Sequence, residues 1–270
     1  DKSHDDIFSK KLIDIEDLCL YENTAVDSCD INIQDFDSEF VAYGFTAISI
    51  ELQKSINIRQ LLNMSWTKAN RHTQASSILR ITDNFNKTAQ LIKSHILSFV
   101  KSSKRANAIE FWLDVANNLL ILYNYNILSM IMGAIESNPV YRLKTTWSKV
   151  SKKAKAMRSK LCDLLSASSN YAALRINYTR DNFIPFMGPF LTELCYIQER
   201  NQVDPGVGKV NFKKMRYISR VISPIRQSMT YSFSNPNHFD SYKVIMKFYT
   251  KIPLTDSQIT EKSNILEPGS

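Results

Sequence analysis

The chain has 270 residues, 44% of them hydrophobic, with only 6 Gly and 8 Pro. That composition excludes a disordered chain and supports a sizeable core, and so few turn formers argue for long helices over a sheet. The formal charge of +8 admits nucleic acid, anionic lipid or an acidic protein as partner, while no apolar run approaches the about 18 residues of a membrane span.

The elements follow in chain order. Ile7 to Tyr21 reads as a helix, followed by an acidic polar link through Asp27, Asp30, Asp35 and Asp37. Ser38 to Lys54 is amphipathic, with Val41, Phe45, Ile48 and Leu52 in helical spacing and Ser38 with Glu39 as a capped start. Ser76 to Val100 forms a long helix with Ile78, Leu79, Phe85, Ala89, Ile92 and Ile96 near a 3.6 period. Ala106 to Ile135 is apolar almost all round, which marks two core helices broken around Tyr123 to Tyr125. Lys152 to Leu165 is a further helix, ended by the Ser-rich turn Ser166 to Asn170. Pro185 and Pro189 flank the start of a helix running from about Phe186 to Asn201. The turn Asp204-Pro205-Gly206-Val207-Gly208 then leads into a helix over Lys213 to Met229, and the two make an antiparallel hairpin. Asn235-Pro236-Asn237 opens a helix through Phe248, and Thr255 caps a last one to Ile265. The start, Asp1-Lys2-Ser3-His4, is polar, lacks a Met and resembles no signal peptide, so we expect a piece of a longer protein.

Catalytic and metal chemistry find no foothold. Cys19, Cys29, Cys162 and Cys195 form no C-x-x-C pair and read as reduced thiols. His4, His72, His95 and His238 show no i, i+4 pairing. No Gly-rich loop of the kind that cradles phosphate is present, so we expect no cofactor and no metal. Lys144, Lys149, Lys152, Lys153, Lys155, Arg158 and Lys160 concentrate the positive charge. They read as a solvated helix face or as a patch facing an anionic membrane. A nucleic-acid partner is disfavoured, because the aromatics follow core patterns and do not interleave with the lysines.

On a helical wheel of residues 186–199, Met187, Phe190, Leu191, Leu194, Ile197 and Gln198 share a core-facing stripe. Thr192, Cys195 and Glu199 form a second stripe, and Phe186 and Tyr196 add aromatic surface outside the first. The residues alone thus describe a helical domain with a projecting hairpin that could bind a protein, or simply a solvated helix face.

Several ordered segments add a resemblance. Asn138-Pro139-Val140-Tyr141-Arg142-Leu143-Lys144-Thr145-Thr146-Trp147 closely resembles a signature of Ras guanine-nucleotide exchange factors of the Son-of-sevenless class. So do Ile184-Pro185-Phe186-Met187-Gly188-Pro189-Phe190-Leu191-Thr192-Glu193-Leu194 and its continuation Ile197-Gln198-Glu199-Arg200-Asn201. Val210-Asn211-Phe212-Lys213-Lys214, Ser65-Trp66-Thr67-Lys68, Arg80 to Asn86 and Leu254 to Pro268 resemble further blocks of that family, in family order. The resemblance covers residues 35–268, the expected catalytic domain, and leaves the helix and acidic linker of 1–34 outside it. Those 34 residues are too few for the Ras exchanger motif domain that often precedes the catalytic one.

The resemblance implies an all-helical, bowl-shaped domain that grips a Ras-family small GTPase, Ras-like or Rap-like, by its switch 2 region. The hairpin would act as a wedge that opens the nucleotide site, with no bond made or broken, so the chain would not be an enzyme in the covalent sense. Phe186 and Tyr141 fall where the family lines an aromatic pocket. Tyr171 falls near it, although the chain is about two residues shorter between Tyr171 and Phe186. Leu79 and Trp66 match switch 2 contacts. Thr192 matches a wedge position, Cys195 the apolar wedge residue that occludes the magnesium site, and Glu199 the carboxylate that enters the phosphate site. The setting implied is the cytoplasm, at the cytosolic face of a membrane. Departures from the family are Glu136, where Ras-directed members usually carry Asn, Arg200 in place of Gly, and Met215 and Tyr217 within a usually basic run. Glu136 is expected either to face the GTPase and set its choice, or to fold back onto a residue such as Arg142.

Overall fold

A computed structural model describes residues 31–62, 64–179, 182–200, 210–232 and 238–269. The expected helix at Ile7 to Tyr21, the Asp204 to Gly208 turn, the Asn235-Pro236-Asn237 opening, and Cys19, Cys29 and His4 lie outside these residues. Among the described residues the fold is all-α, with fourteen α-helices, short 3-10 turns and no strand beyond one isolated bridge.

The entry helix spans Ser38–Lys54, as its pattern predicts, but its cap is Asp37, not Ser38: the Asp37 carboxylate accepts from the Glu39 N–H at 2.7 Å. The long helix is Ser76–Ser98 and the central helix Ser102–Ile121. The core helix, Tyr125–Ile135, starts after the expected break. The lysine-rich helix covers Lys152–Leu164. Two hairpin helices, Met187–Arg200 and Phe212–Ser228, pack on each other. His238–Thr250 and Asp256–Leu266 follow, the last with a capping box between Thr255 and Gln258.

Two hydrophobic clusters organise these helices. The larger gathers Phe45, Ile92, Trp112, Leu113, Ile131 and Phe248 from the entry, long, central, core and His238–Thr250 helices. The smaller gathers Ile78, Tyr125, Phe183, Phe190, Leu194 and Ile222, and carries the hairpin. Helices Ser38–Lys54 and His238–Thr250 meet closely at Gly44, where a Cβ would lie 2.3 Å from the Ser241 carbonyl oxygen. Only glycine permits that approach.

One buried ion pair joins distant parts of the chain. Arg105, 1% exposed, donates from Nη2 to Glu267 Oε1 at 2.8 Å. Its Nε reaches Thr146 Oγ1 at 2.9 Å, and its Nη1 reaches the Phe99 and Val100 carbonyls at 3.0 and 2.6 Å. Glu267 also accepts from the Thr145 and Thr146 N–H groups at 2.8 and 3.0 Å, at the start of the short helix Lys144–Lys149. Burial alone would raise the Glu267 pKa, but the bonds from Thr146 and Arg105 outweigh it and hold the carboxyl below its ordinary value.

His95 is a half-buried titratable group packed among aromatic rings. Trp112 Nε1 donates to its Nδ1 at 3.1 Å, and Phe99 and Trp112 rings stand edge-on to it. Burial, and then the charge of Lys251, push its pKa down from 6.5 to about 4.

Two expectations follow from these groups. Glu267→Gln leaves a buried guanidinium without its counter-charge and should cost about 3–5 kcal/mol, read as a lower urea midpoint with an unchanged m-value. His95 stays neutral in the folded chain but protonates near 6.5 when unfolded, so its contribution is full above that pH and is lost as pH falls toward 4. Unfolding free energies at pH 7 and pH 4 should differ by about 3 kcal/mol more in the parent than in His95→Gln.

Candidate functional site

The base of the hairpin is fixed to the break between the central and core helices. The central helix ends in a Schellman turn: Asn124 N–H bonds the Leu119 carbonyl at 2.9 Å and Tyr123 N–H the Leu120 carbonyl at 3.1 Å. The left-handed position of this turn, usually Gly, is Tyr123 at φ 53°. Asn124 is buried and caps the core helix by accepting from the Ile127 N–H, while its Nδ2 donates to Ser49 Oγ at 3.0 Å. The strand-like bridge lies here too. Ile184 N–H donates to the Tyr123 carbonyl and Tyr125 N–H to the Ile184 carbonyl, both at 2.9 Å. The second leg is tied to the same place: Tyr231 donates its hydroxyl to the Leu122 carbonyl at 3.0 Å. Burial, then Tyr123, push the Tyr231 pKa up to about 12, so the donor keeps its proton.

From that base the hairpin runs outward. Met187, Phe190 and Leu194 are buried, and burial resumes on the second leg at Ile218. Beyond them Tyr196, Glu199, Arg200, Val210, Met215 and Tyr217 are exposed, and Phe212 is 78% exposed. Thr192, Cys195 and Glu199 lie off the packed side, as the wheel predicts. Thr192 is exposed and donates to the Gly188 carbonyl of its own helix at 3.1 Å. Cys195 is half-buried; burial, then Glu199, raise its thiol pKa, so it presents a neutral, weakly polar surface. Glu199 is exposed.

An aromatic cleft of about 530 Å³ opens at the foot of the first hairpin helix, lined by Tyr171, Phe186, Pro189, Glu193 and Tyr196 among others. Phe186 is half-buried. Its ring stacks on Phe85 at 5.9 Å and meets the Tyr171 edge at 5.8 Å. Tyr178 accepts from the Phe186 N–H at 3.2 Å. Tyr171 ends three consecutive left-handed residues, with Ser169 at φ 50° and Asn170 at φ 56°. Such a run is strained. Arg175 holds it in place, donating from Nε to the Asn170 carbonyl at 2.9 Å and from Nη2 to Glu193 on the hairpin at 2.7 Å.

The other expected contacts fall in different surroundings. Trp66 and Leu79 are half-buried, Trp66 against the smaller cluster. Tyr141 does not share the Phe186 stack; it is 57% exposed and lies under the Arg158 guanidinium, 5.3 Å from its ring centre. Glu136 folds back, but onto Arg158, which grips both carboxylate oxygens. Arg142, the partner suggested by proximity in sequence, donates instead to the Ser263 carbonyl at 3.0 Å. Phe85, Arg175, Tyr178 and Tyr231 belong to the site's framework and were not singled out as site residues in the sequence; Phe85 reads there as one more core position.

This geometry defines an all-helical domain with a projecting hairpin beside an aromatic cleft. Residues 40–216 match the RasGEF domain family, and the chain belongs to it. It is 37% identical over 176 residues to mouse Ras-specific guanine nucleotide-releasing factor 2, covering 64% of this chain and 15% of that protein. It is 33% identical over 232 residues to rat Ras-specific guanine nucleotide-releasing factor 1, covering 84% and 18%. Ras guanine nucleotide exchange factor P of Dictyostelium discoideum is 27% identical over 238 residues, covering 87% and 16%. The chain thus spans less than a fifth of the length of these curated relatives.

Gly188 is where the cleft tolerates no side chain: a Cβ there would lie 2.9 Å from the Phe186 ring. That ring is already confined between Phe85 and Tyr171, so Gly188→Ala should destabilise by about 1–3 kcal/mol in urea unfolding. Gly133, on an exposed helix face with nothing within 4 Å of its Cβ position, is the control. Gly133→Ala should stabilise by up to about 1 kcal/mol in the same measurement.

Proposed function

We propose that this domain, over residues 35–268, accelerates GDP release from a Ras-family small GTPase so that GTP can load. The observation that carries the reading is the hairpin, packed firmly at its base while Thr192, Cys195 and Glu199 point away from its packed side. Membership of the RasGEF family supports it.

A GTPase that holds GDP at picomolar affinity presents about 16 kcal/mol of binding free energy. Contacts alone do not outbid that. The exchanger binds the nucleotide-free state, and linkage makes the weakening mutual: exchanger expels nucleotide and nucleotide expels exchanger. Cys195, with its thiol kept neutral, fills space that a hydrated magnesium ion needs. Glu199 brings a negative charge to where phosphate sits and occupies the donors that phosphate leaves. The Tyr171–Phe186 cleft receives an aromatic side chain of switch 2, and Leu79 and Trp66 add contacts to switch 2 outside the cleft. Tyr141 adds a separate contact whose ring Arg158 holds in place. Glu136, folded back onto Arg158, holds that guanidinium over the Tyr141 ring, and Glu136→Asn should leave the choice of GTPase unchanged. Nothing in this sequence of events makes or breaks a covalent bond. We place the reaction in the cytoplasm, at the cytosolic face of a membrane.

Labelled-GDP release from Ras, Rap, Ral and Rho proteins tests the reading. At least one Ras-family member should lose GDP faster with the domain present, and acceleration of none would sink it. Glu199→Ala should slow release at least about tenfold, while its surface position keeps the change in unfolding free energy within about 0.5 kcal/mol. Parent-like release by that variant would remove Glu199 from the wedge.

A further inference from the structure

We propose that the edge of the domain formed by residues 99–104, 149, 152 and 155 docks on an anionic lipid bilayer. Val100 is 81% exposed. It does not dangle, because the Arg105 guanidinium bonds the carbonyls of both Phe99 and Val100. Exposed Lys101, just before the central helix, and Lys104, on its first turn, flank it. Lys149 joins them through its Nζ, which donates to Ser102 Oγ at 2.6 Å. Lys152 and Lys155, also exposed, open the lysine-rich helix three residues further on. A rigid aliphatic tip is therefore set among five lysines.

Among the described residues, lysines outnumber acids at this edge. The sequence has no Asp or Glu from 99 to 109 or from 137 to 162. Two acids of the central helix approach the patch: Glu110 accepts from the Ser151 N–H, between Lys149 and Lys152, and Asp114 faces Lys153. The three arginines of the region are engaged elsewhere: Arg105 is buried against Glu267, Arg142 donates to the Ser263 carbonyl, and Arg158 pairs with Glu136. What faces solvent at residues 99–104, 149, 152 and 155 is five lysines, one aliphatic group and the small hydroxyl of Ser103. A headgroup layer over acyl chains suits that chemistry, because long lysine stems reach phosphates while the apolar tip enters below them. A nucleic-acid surface would instead offer stacking aromatics and exposed arginines.

The edge also leaves the candidate site free. It lies at the N-terminal end of the central helix, whose C-terminal end holds the hairpin base, and 20 residues of helix separate them by about 30 Å. This inference does not rest on the exchange reading, since its readout is lipid binding, and a chain without exchange activity would still pass or fail it.

The test is co-sedimentation of the chain with vesicles of phosphatidylcholine alone, or with a quarter phosphatidylserine, at physiological salt. Binding is expected to the phosphatidylserine vesicles only. The triple variant Lys101→Ala, Lys104→Ala, Lys149→Ala should weaken it at least about tenfold, and Val100→Ser several-fold, with the helical circular dichroism of each unchanged. GDP release in solution should be the same in parent and variants. Parent binding that ignores phosphatidylserine, variants that bind like the parent, or tighter binding to an oligonucleotide of equal charge would each overturn the assignment.

Discussion

The hairpin's direction depends on one short break. Residues 122–125 end the central helix, start the core helix and receive both legs of the hairpin: Ile184 bonds Tyr123 and Tyr125 through the backbone, and the Tyr231 hydroxyl bonds Leu122. A left-handed tyrosine there is unfavourable by roughly 1 kcal/mol. It persists because its carbonyl is already committed to Ile184 and because Asn124 beside it is fully hydrogen-bonded in the core. Position is thus imposed on the hairpin by a break whose second half, Asn124 and Tyr125, is fully buried. Any tilt of the hairpin must break these bonds, and the one made by the buried Tyr125 N–H to the Ile184 carbonyl is the most expensive to leave unmade.

Stability and exposure are distributed to match. Among the described residues of the hairpin none between Leu194 and Ile218 is buried, so this outer part contributes little to folding and is free to carry chemistry unsuited to a core. The cleft at its foot shows the opposite arrangement. Three strained residues end at Tyr171, and Arg175 couples them to Glu193 on the hairpin. The cleft wall and the hairpin are therefore linked by one guanidinium, and a ligand that moves either would meet the resistance of both.

Much of this was legible in sequence because it is local. The entry helix, the paired core helices and the Thr255 cap follow from periodicity and capping, which act within a few residues. The shift of the first cap from Ser38 to Asp37 is a one-residue ambiguity between two good capping side chains. The wheel separated Thr192, Cys195 and Glu199 from the packed side correctly. Contacts between distant segments were not legible. Glu136 pairs with Arg158 across 22 positions, not with nearby Arg142. Phe85 fits the helical period of a core residue, yet it forms the floor under Phe186. The Tyr123 break was visible as an interruption, but its bond to Ile184 was not. Glu267 lay in a recognisable closing segment, and nothing local tells that its charge is buried against residue 105.

That last pairing bears on how the chain acquires its structure. Arg105 and Glu267 are 162 residues apart, so a chain leaving the ribosome carries Arg105 for roughly ten seconds or longer before its counter-ion exists. During that interval the central helix can form, but closing its N-terminal end would bury an unpaired cation. The folding nucleus should therefore grow from the helix's other end, around the Tyr125 cluster, and the 99–105 edge should be the last part to seal.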